Sequence, residues 1–283
     1  MPLSLCDRLP DVAAQDLVAG FAPPPHFSHV SFESYRPDPY YPGQAAAVAG
    51  ARAFVAAPAQ VKKRGWLRKA TPAEVRPGIY LDGGFGVGKT HLLASIWHAT
   101  EGRKAFGTFV EYTHLVGALG FAGAVEALSD RVLVCIDEFE LDDPGDTVLM
   151  SSLLMALTER GVRLAATSNT LPDALGEGRF AADDFLREIQ GLSAHFDVLR
   201  IDGVDYRHRG VPKAPPALSE QEVAALVDST PGATLDRFDA VCDHLARVHP
   251  SKYARLVEGV PLVGLTGVHQ LTSQDVALRL VVL

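Results

Sequence analysis

One short stretch limits the fold of this chain more than any other feature of its sequence. Gly83–Thr90 matches the pattern GxxxxGK[ST] and lies between an apolar run, Gly78–Leu81, and a helical pattern, His91–Trp97. Glycines let such a loop curl so that its N–H groups, and the start of the following helix, face a bound phosphate. The stretch therefore predicts a strand, a phosphate-binding loop and a helix in succession.

The loop and the first turn of its helix supply the predicted nucleotide contacts. These contacts are Gly83, Gly84, Phe85, Gly86, Val87, Gly88, Lys89, Thr90 and His91. We expect Lys89 to reach the β- and γ-phosphates of ATP, and the hydroxyl of Thr90 to bind Mg²⁺. The alternative is a glycine-rich turn that precedes a helix by chance, which would not account for the correct strand and helix on its two sides.

A second apolar run ends in two acidic residues. Val132–Ile136 is followed directly by Asp137 and Glu138. Buried parallel strands have this composition, and α/β sheets place active groups at the carboxyl ends of their strands. We expect Asp137 to bind Mg²⁺ through its water shell and Glu138 to orient and deprotonate an attacking water. Such a run is common by itself and becomes specific downstream of a phosphate-binding loop.

A third apolar run, Arg163–Thr167, ends in Ser168 and Asn169. One interpretation is a strand followed by a turn, since asparagine is frequent in turns. The other is that Asn169 is a polar side chain presented to the γ-phosphate at the same edge of the sheet. The run alone does not distinguish these two interpretations.

Short apolar runs alternate with helical patterns from about Pro77 onward, which is typical of βαβ units and a mostly parallel sheet. The predicted strands lie near Ile79–Leu81, Phe106–Tyr112, Val132–Ile136, Arg163–Thr167 and Asp197–Ile201, and the predicted helices near Thr90–Ala99, Asp146–Arg160 and Ala181–Leu192. The predicted fold class is α/β, a parallel sheet with flanking helices, followed by a smaller and mainly helical lid domain.

Proline-rich segments divide the chain into three predicted parts. They are an N-terminal arm (1–70), the α/β domain (71–210) and the helical lid (211–283). The lid begins at Val211–Ala217, where three prolines oppose both helix and strand. Within it, residues 219–257 are predicted as helices and Val260–Leu265 as a strand. Because Thr272–Leu283 ends without a capping residue or polar tail, we expect the natural protein to continue past this point.

The composition indicates a folded protein from a reducing compartment. Hydrophobic residues make up 47% and charged residues 21% of the chain, which is too apolar for a disordered protein. Cys6, Cys135 and Cys242 are far apart and have no nearby histidine at ligand spacing, which argues against a disulfide framework or a zinc site. No stretch offers the roughly 18 uncharged apolar residues of a membrane span. We expect a cytoplasmic protein with at most peripheral membrane contact.

The charge balance bears on nucleic-acid binding. A formal net charge of −8 argues against a generally basic surface. Lys62–Lys69 is a local exception, with five positive charges around Trp66. This run is either a surface that grips nucleic acid or an acidic partner, or a solvated loop.

Taken together, the motifs resemble those of the ZapE family of cell-division ATPases, which have mitochondrial relatives. The resemblance rests on the glycine-rich loop, Cys135–Phe139, Ala166–Asn169 and Asp205–Arg207, in that family's order and approximate spacing. Phe32–Pro37 also resembles the family's N-terminal segment. Asp-Glu-Phe and Asp-Tyr-Arg are not general features of proteins with phosphate-binding loops, so the resemblance is specific, and it covers most of residues 30–210.

The resemblance implies an AAA+ fold and an ATPase that uses ATP and Mg²⁺. In AAA+ proteins the strand that follows the Asp-Glu motif inserts between two others, the strand before the phosphate-binding loop and the strand that ends in the Asp-Glu motif. In this chain Asn169 would then present its amide to the γ-phosphate. The resemblance also implies a homo-oligomer that remodels a protein partner, with a link to the division ring and its tubulin-like protein FtsZ.

Three arginines are candidate nucleotide contacts by the same resemblance. Where the family has arginines in the helix after Asn169, this chain has Asp183 and Asp184. Arg179 or Arg187 is therefore the predicted arginine finger. Arg279 resembles the lid arginine that contacts nucleotide in relatives, and an exposed helix charge is the equal alternative.

Two other functions share part of these motifs. A helicase-loader-like AAA+ ATPase associated with DNA is favoured by Lys62–Lys69 and opposed by the acidic charge balance and by Asp205–Arg207. A small-molecule or nucleoside kinase would share the loop but needs neither Asn169 nor a helical lid. The sequence has no NKxD motif to read a guanine base, which argues against a GTPase.

Overall fold

The computed structural model describes residues 3–8, 18–57, 76–139, 144–171, 191, 193–206, 217–248 and 253–268. The chain divides into two compact units, one of residues 18–211 and one that joins residues 1–17 to residues 212–283. The segment predicted as an N-terminal arm, residues 1–70, is thus shared between the two units.

The described residues of the larger unit contain a five-stranded parallel sheet with strand order β2-β3-β4-β1-β5. The strands are β1 (Gly78–Gly83), β2 (Lys104–Thr108), β3 (Leu133–Asp137), β4 (Arg163–Ser168) and β5 (Phe196–Ile201). Every residue of β1 and β3 is buried, as expected for apolar strands that are covered on both faces. The predicted α/β class with a parallel sheet is confirmed.

Strand β4 inserts between the two motif strands, as the resemblance implied. Ala166 of β4 lies opposite Tyr80 of β1, and Ala165 lies opposite Cys135 of β3. Because all the strands run parallel, the carboxyl ends of β1, β3 and β4 meet at one edge of the sheet. The insertion therefore brings the three motifs together at that edge.

Four α-helices of this unit are described over their whole length. They are α1 (Pro42–Ala56), α2 (Lys89–Ala99), α3 (Phe109–Leu128) and α4 (Pro144–Glu159). Helix α2 buries Leu92, Leu93 and Ile96 in the same apolar cluster as Ala47 and Ala51 of α1. This packing fixes the start of α2, and with it the end of the phosphate-binding loop, against the sheet. The predicted helix Ala181–Leu192 falls almost wholly outside the described residues.

The predicted strand Phe106–Tyr112 is wrong in its second half. Strand β2 ends at Thr108 and helix α3 begins at Phe109. Thr108 closes a capping box with Glu111: its hydroxyl accepts the Glu111 N–H at 3.3 Å, and the Glu111 carboxylate accepts the Thr108 N–H at 2.6 Å. Aromatic and β-branched residues at the start of α3 suggested a longer strand. The two reciprocal hydrogen bonds between Thr108 and Glu111 instead stabilise the start of a helix.

The smaller unit contains both helices and strands. Its elements are α5 (Glu220–Ser229), β6 (Thr234–Arg237), α6 (Phe238–Arg247), α7 (Tyr253–Leu256) and β7 (Val263–Thr266). Strands β6 and β7 pair in parallel, and the carboxylate of Asp236 accepts the Leu5 N–H at 3.0 Å. The prediction of helices alone over residues 219–257 is therefore wrong at β6, which is too short to show a periodic pattern.

The capping box of α3 makes a stability prediction. Thr108→Ala should lower the free energy of unfolding by about 1 kcal/mol, because the N-cap oxygen that satisfies the Glu111 N–H is lost. Thr113→Ala is the matched control. Thr113 lies within the same helix, and its hydroxyl donates to the Val110 carbonyl and does not cap the helix. Urea unfolding of the two variants checks this, and equal midpoints would contradict a stabilising cap.

Candidate functional site

The phosphate-binding loop requires glycine at two positions. Gly86 has φ 67° and Gly88 has φ 90°, both in the left-handed region that other residues adopt only with strain. Gly88 is the N-cap of α2 and provides no side-chain cap, so the first N–H groups of the helix are not capped by that residue. The loop thus has the conformation that its glycine pattern predicted.

Lys89 joins the loop to the end of β4. Its ammonium group donates to the carbonyls of Gly83 at 2.8 Å and Gly84 at 2.7 Å, and to the Oδ1 atom of Asn169 at 2.9 Å. Two predicted site residues that lie 80 positions apart are therefore in direct contact. The contact places a positive charge between the loop and the side chain that the sequence assigned to the γ-phosphate.

Asp137 lies at the centre of a hydrogen-bond network. Its Oδ1 atom accepts the hydroxyl of Thr167 at 2.5 Å and the hydroxyl of Thr90 at 3.1 Å. Asp137 is 7% exposed. Burial raises the pKa of its carboxyl group, while the bonds from Thr167, Thr90 and the Glu138 N–H act in the opposite direction. The network ties β3, β4 and α2 together at the edge of the sheet.

Glu138 leaves the sheet immediately after Asp137 and is exposed. Its backbone is left-handed with φ 53°, a conformation that costs a residue other than glycine about 1 kcal/mol or more. Its N–H donates to the Thr167 hydroxyl at 3.0 Å, and the N–H of Phe139 donates to the Thr167 carbonyl at 2.7 Å. Thr167 thus holds the turn that separates the buried Asp137 from the exposed Glu138.

Sequence reasoning gave no role to Thr167 or to Asp82. Asp82, at the end of β1, is 2% exposed and accepts a hydrogen bond from Arg200 of β5 at 2.8 Å. Burial raises the pKa of Asp82, and the positive charges of Arg200 and Lys89 act against that shift. Both residues are polar and lie at the end of an apolar strand, and this pattern in the sequence could have identified them.

The other predicted loop contacts differ in their surroundings. Phe85 is 66% exposed, whereas the side chain of Val87 is 1% exposed and belongs to the core. The Nε2 atom of His91 lies 2.8 Å from the hydroxyl oxygen of Ser34, and burial lowers the pKa of this histidine. Their assignment as nucleotide contacts stays a prediction.

The predicted arginines cannot be placed with the site. Arg179, Arg187 and Arg279 all lie outside the described residues. Their roles as finger or lid contacts stay predictions from the resemblance. The residues that the structure does bring together are Lys89, Thr90, Asp137, Glu138 and Asn169.

The oxygen atoms at this edge suit Mg²⁺ together with a nucleotide. Mg²⁺ binds oxygen, keeps several of its waters and is usually held by one or two protein groups beside the phosphates. The hydroxyl of Thr90 and the carboxylate of Asp137 already lie within 3.1 Å of each other. A Cβ atom added at Gly84 would meet no other atom of the described residues within 4 Å, so there is open space beside the loop. No group of three or more His, Cys, Asp or Glu side chains that could hold a metal occurs in the described ranges.

Two curated relatives share part of this chain. Cell division protein ZapE of Escherichia coli (strain K12) is 35% identical over 158 residues, which cover 52% of this chain and 41% of that protein. Lactation elevated protein 1 homolog B of Danio rerio is 27% identical over 155 residues, which cover 47% of this chain and 31% of that protein. The chain thus spans less than half the length of the curated relatives it matches.

The solved structures that resemble this chain are more distant in sequence. Domain III of the Thermotoga maritima replication initiation protein DnaA has a TM-score of 0.46 and 18% identity, and the match covers 63% of this chain and 68% of that one. A likeness at this distance says nothing about function.

The family assignment follows from the sequence that surrounds the site. Residues 12–230 match the family described as AFG1-like ATPase. That range includes the glycine-rich loop, Asp137, Glu138 and Asn169, and the E. coli relative supports the predicted resemblance to ZapE. Since the match extends over more than half of its length, this chain belongs to the AFG1-like ATPase family.

Proposed function

We propose that this chain binds ATP with Mg²⁺ and hydrolyses it to ADP and phosphate. The observation that carries the proposal is the convergence at one sheet edge of a lysine on the loop, a buried carboxylate beside a hydroxyl, and an exposed carboxylate. These are Lys89, Asp137 with Thr90, and Glu138. Each has the chemistry that phosphoryl transfer to water needs at that position.

Lys89 and the loop bind the phosphate chain. The ammonium group, now bonded to the Gly83 and Gly84 carbonyls, would exchange these neutral acceptors for the charged β- and γ-phosphate oxygens. Thr90 and Asp137 would hold Mg²⁺, which neutralises charge on the phosphates when it is bound. The buried position of Asp137 and its bonds to two threonines fix its carboxylate before any ligand arrives.

Glu138 acts as the general base. Its carboxylate takes a proton from the attacking water, whose oxygen forms a bond to the γ-phosphorus while the bond from that phosphorus to the bridging oxygen of ADP breaks. The left-handed turn at Glu138 separates this exposed carboxylate from the buried Asp137. One acid is thus kept for the metal and the other for the water.

Asn169 positions the reacting groups. Its Oδ1 atom holds Lys89 at 2.9 Å in this structure, and its amide N–H₂ can donate to the water or to the γ-phosphate. An arginine finger, Arg179 or Arg187, would be supplied across a homo-oligomer interface, since AAA+ sites usually take this residue from the neighbouring subunit. These arginines lie outside the described residues.

The proposed protein partner of this chain is inferred from its relatives. The E. coli relative is named as a cell division protein. We infer that ATP hydrolysis by this chain is coupled to remodelling a protein partner in cell division, with FtsZ as the first candidate in the cytoplasm. No helix in the described residues is long and apolar enough to cross a bilayer. The DNA-associated, helicase-loader-like alternative depends on Lys62–Lys69, which the structure does not describe.

Stimulated turnover distinguishes these partners. ATP hydrolysis by the chain is measured alone, with FtsZ filaments and with single-stranded DNA. The proposal expects measurable basal turnover that FtsZ increases and DNA does not. Stimulation by DNA alone would favour the helicase-loader alternative, and no turnover under any condition would count against an active ATPase.

Lys89→Ala should weaken ATP binding by about 100-fold, because a charged donor to the phosphates is lost. Arg103→Ala is the control, since it removes one positive charge just before β2, at the opposite edge of the sheet, where Arg103 pairs with Asp130. Calorimetric titration with MgATP measures both variants. The role of Lys89 would be disproved by an affinity equal to that of the wild type.

Glu138→Gln should bind ATP normally and reduce kcat by about 10²–10⁴-fold, because the amide keeps the shape of the side chain but cannot accept the proton of water. Glu126→Gln, an exposed glutamate on α3, is the matched control. Steady-state hydrolysis and nucleotide titration are compared for the two variants. Near-normal turnover of Glu138→Gln would remove this residue from the mechanism.

Asn169→Ala should lower kcat by about 10²-fold while ATP affinity changes little, because its contribution is made in the transition state. Loss of the Asn169 bond also releases Lys89 from one partner, which does not oppose phosphate binding. Titration and kinetics separate the two effects. An affinity that falls as much as kcat would make Asn169 a structural turn residue.

A further inference from the structure

An N-terminal tyrosine packs directly on the phosphate-binding loop. The Tyr35 ring lies so close to Gly88 that a Cβ atom added there would be 2.6 Å from its Cε2 atom. The Tyr35 hydroxyl donates to the carbonyl of Val87 at 2.8 Å. Tyr35 is 8% exposed, and burial raises its pKa to about 12, so the hydroxyl keeps its proton at neutral pH. It is therefore a permanent donor to the loop.

A second segment reaches the same loop from beyond β5. The N–H of Tyr206 donates to the carbonyl of Gly86 at 3.0 Å. Asp205 occupies the space beside Gly86, where an added Cβ atom would lie 1.7 Å from its Oδ1 atom. The Asp-Tyr-Arg motif that carried part of the family resemblance is thus a direct neighbour of the loop, and it has no role in the chemistry proposed above.

The two segments are also joined to each other. The hydroxyl of Tyr206 donates to the carbonyl of Arg36, the residue after Tyr35, at 3.2 Å. We name Tyr35, Arg36, Asp205 and Tyr206 the loop clamp. Its members come from two places about 170 residues apart, as the separation of Arg36 and Tyr206 shows.

The geometry of the peptide bond gives the clamp a consequence for nucleotide binding. In a trans peptide the carbonyl and the following N–H point in opposite directions, and the unit is planar. The clamp holds the Gly86 carbonyl through Tyr206 and the Val87 carbonyl through Tyr35. It therefore also sets the directions of the N–H groups of Val87 and Gly88, which are the groups that such a loop offers to phosphate.

We propose that the loop clamp positions these two N–H groups for the phosphates of the nucleotide, with Tyr35 and Tyr206 as positioning residues. The proposal rests on the proposed nucleotide-binding function and adds a role for two motifs outside the reacting groups. Preorganised donors bind without the cost of ordering the loop, so loss of the clamp weakens binding of ATP and ADP alike. It acts on the ground state and the transition state equally, so KM rises while kcat stays nearly constant.

The test uses tyrosine-to-phenylalanine variants of the full chain. Tyr35→Phe keeps the ring on Gly88 and removes the hydroxyl that donates to Val87. Tyr253→Phe is the matched control, because Tyr253 is 1% exposed and its hydroxyl donates to the Leu245 carbonyl at 2.7 Å in the other compact unit. Affinity for MgADP, KM and kcat for ATP, and the nucleotide-free melting temperature are measured for each.

The expected result is an affinity loss and a rise in KM of about five- to tenfold in Tyr35→Phe, the loss expected for one hydrogen bond, with kcat within about twofold of the wild type. In Tyr253→Phe the melting temperature should fall by about as much as in Tyr35→Phe, while the affinity for nucleotide stays at the wild-type value. Tyr206→Phe, which cuts the bond to Arg36, should raise KM by about two- to threefold and provides the test should Tyr35→Phe not fold.

Each remaining outcome is decisive. Wild-type affinity in both Tyr35→Phe and Tyr206→Phe, with only the melting temperature lowered, would overturn the clamp and leave the proposed ATPase intact. A fall in kcat without a change in KM would also overturn it, because the clamp would then act on the chemical step. A wild-type chain that binds no nucleotide would refute the proposed function, and the clamp with it.

Discussion

The hydroxyl group of Thr167 connects the parts of the site to one another. It donates to the Asp137 carboxylate and accepts the N–H of Glu138, while the same carboxylate accepts the hydroxyl of Thr90. A buried carboxylate is costly unless it is hydrogen-bonded, so these bonds allow an acid to lie inside the sheet edge. If Thr167 were apolar, Asp137 would lose its shortest bond and the turn at Glu138 would lose its acceptor.

Parallel strand order makes this connection available. Strand β4 lies between β1 and β3, so its last residues face the phosphate-binding loop on one side and the Asp-Glu turn on the other. In a sheet where β3 lay directly beside β1, β4 could not bring Thr167 to Asp137 and Glu138 and at the same time bring Asn169 to Lys89. The topology therefore carries as much of the site as any single side chain does.

The sequence predicted the parts of this arrangement that have a local signal. The apolar runs ending in Asp137 and Ser168 lie close to their observed strands, and the glycine pattern correctly predicted the loop before α2. The prediction of secondary structure from sequence failed at two places. At Phe109 the apolar residues fit a strand or a helix equally, and a side-chain cap determines that the helix begins there. Strand β6 has only four residues, too few to show a pattern. Contacts of Tyr35 with Gly88 and of Asp205 with Gly86 had no local signal, because they depend on how distant segments meet.

The pairing of the first residues with the smaller unit has a consequence for synthesis of the chain. Leu3 bridges to Thr234, and the carboxylate of Asp236 accepts the Leu5 N–H. The smaller unit is therefore built from residues that precede the larger unit in the sequence and residues that follow it. A ribosome that makes the chain in order releases Leu3–Asp7 before the larger unit, and β6 follows more than 200 residues after Asp7. The larger unit can therefore fold while Leu3–Asp7 still lacks its partner strand, and the smaller unit is completed only after the residues of the larger unit have been made.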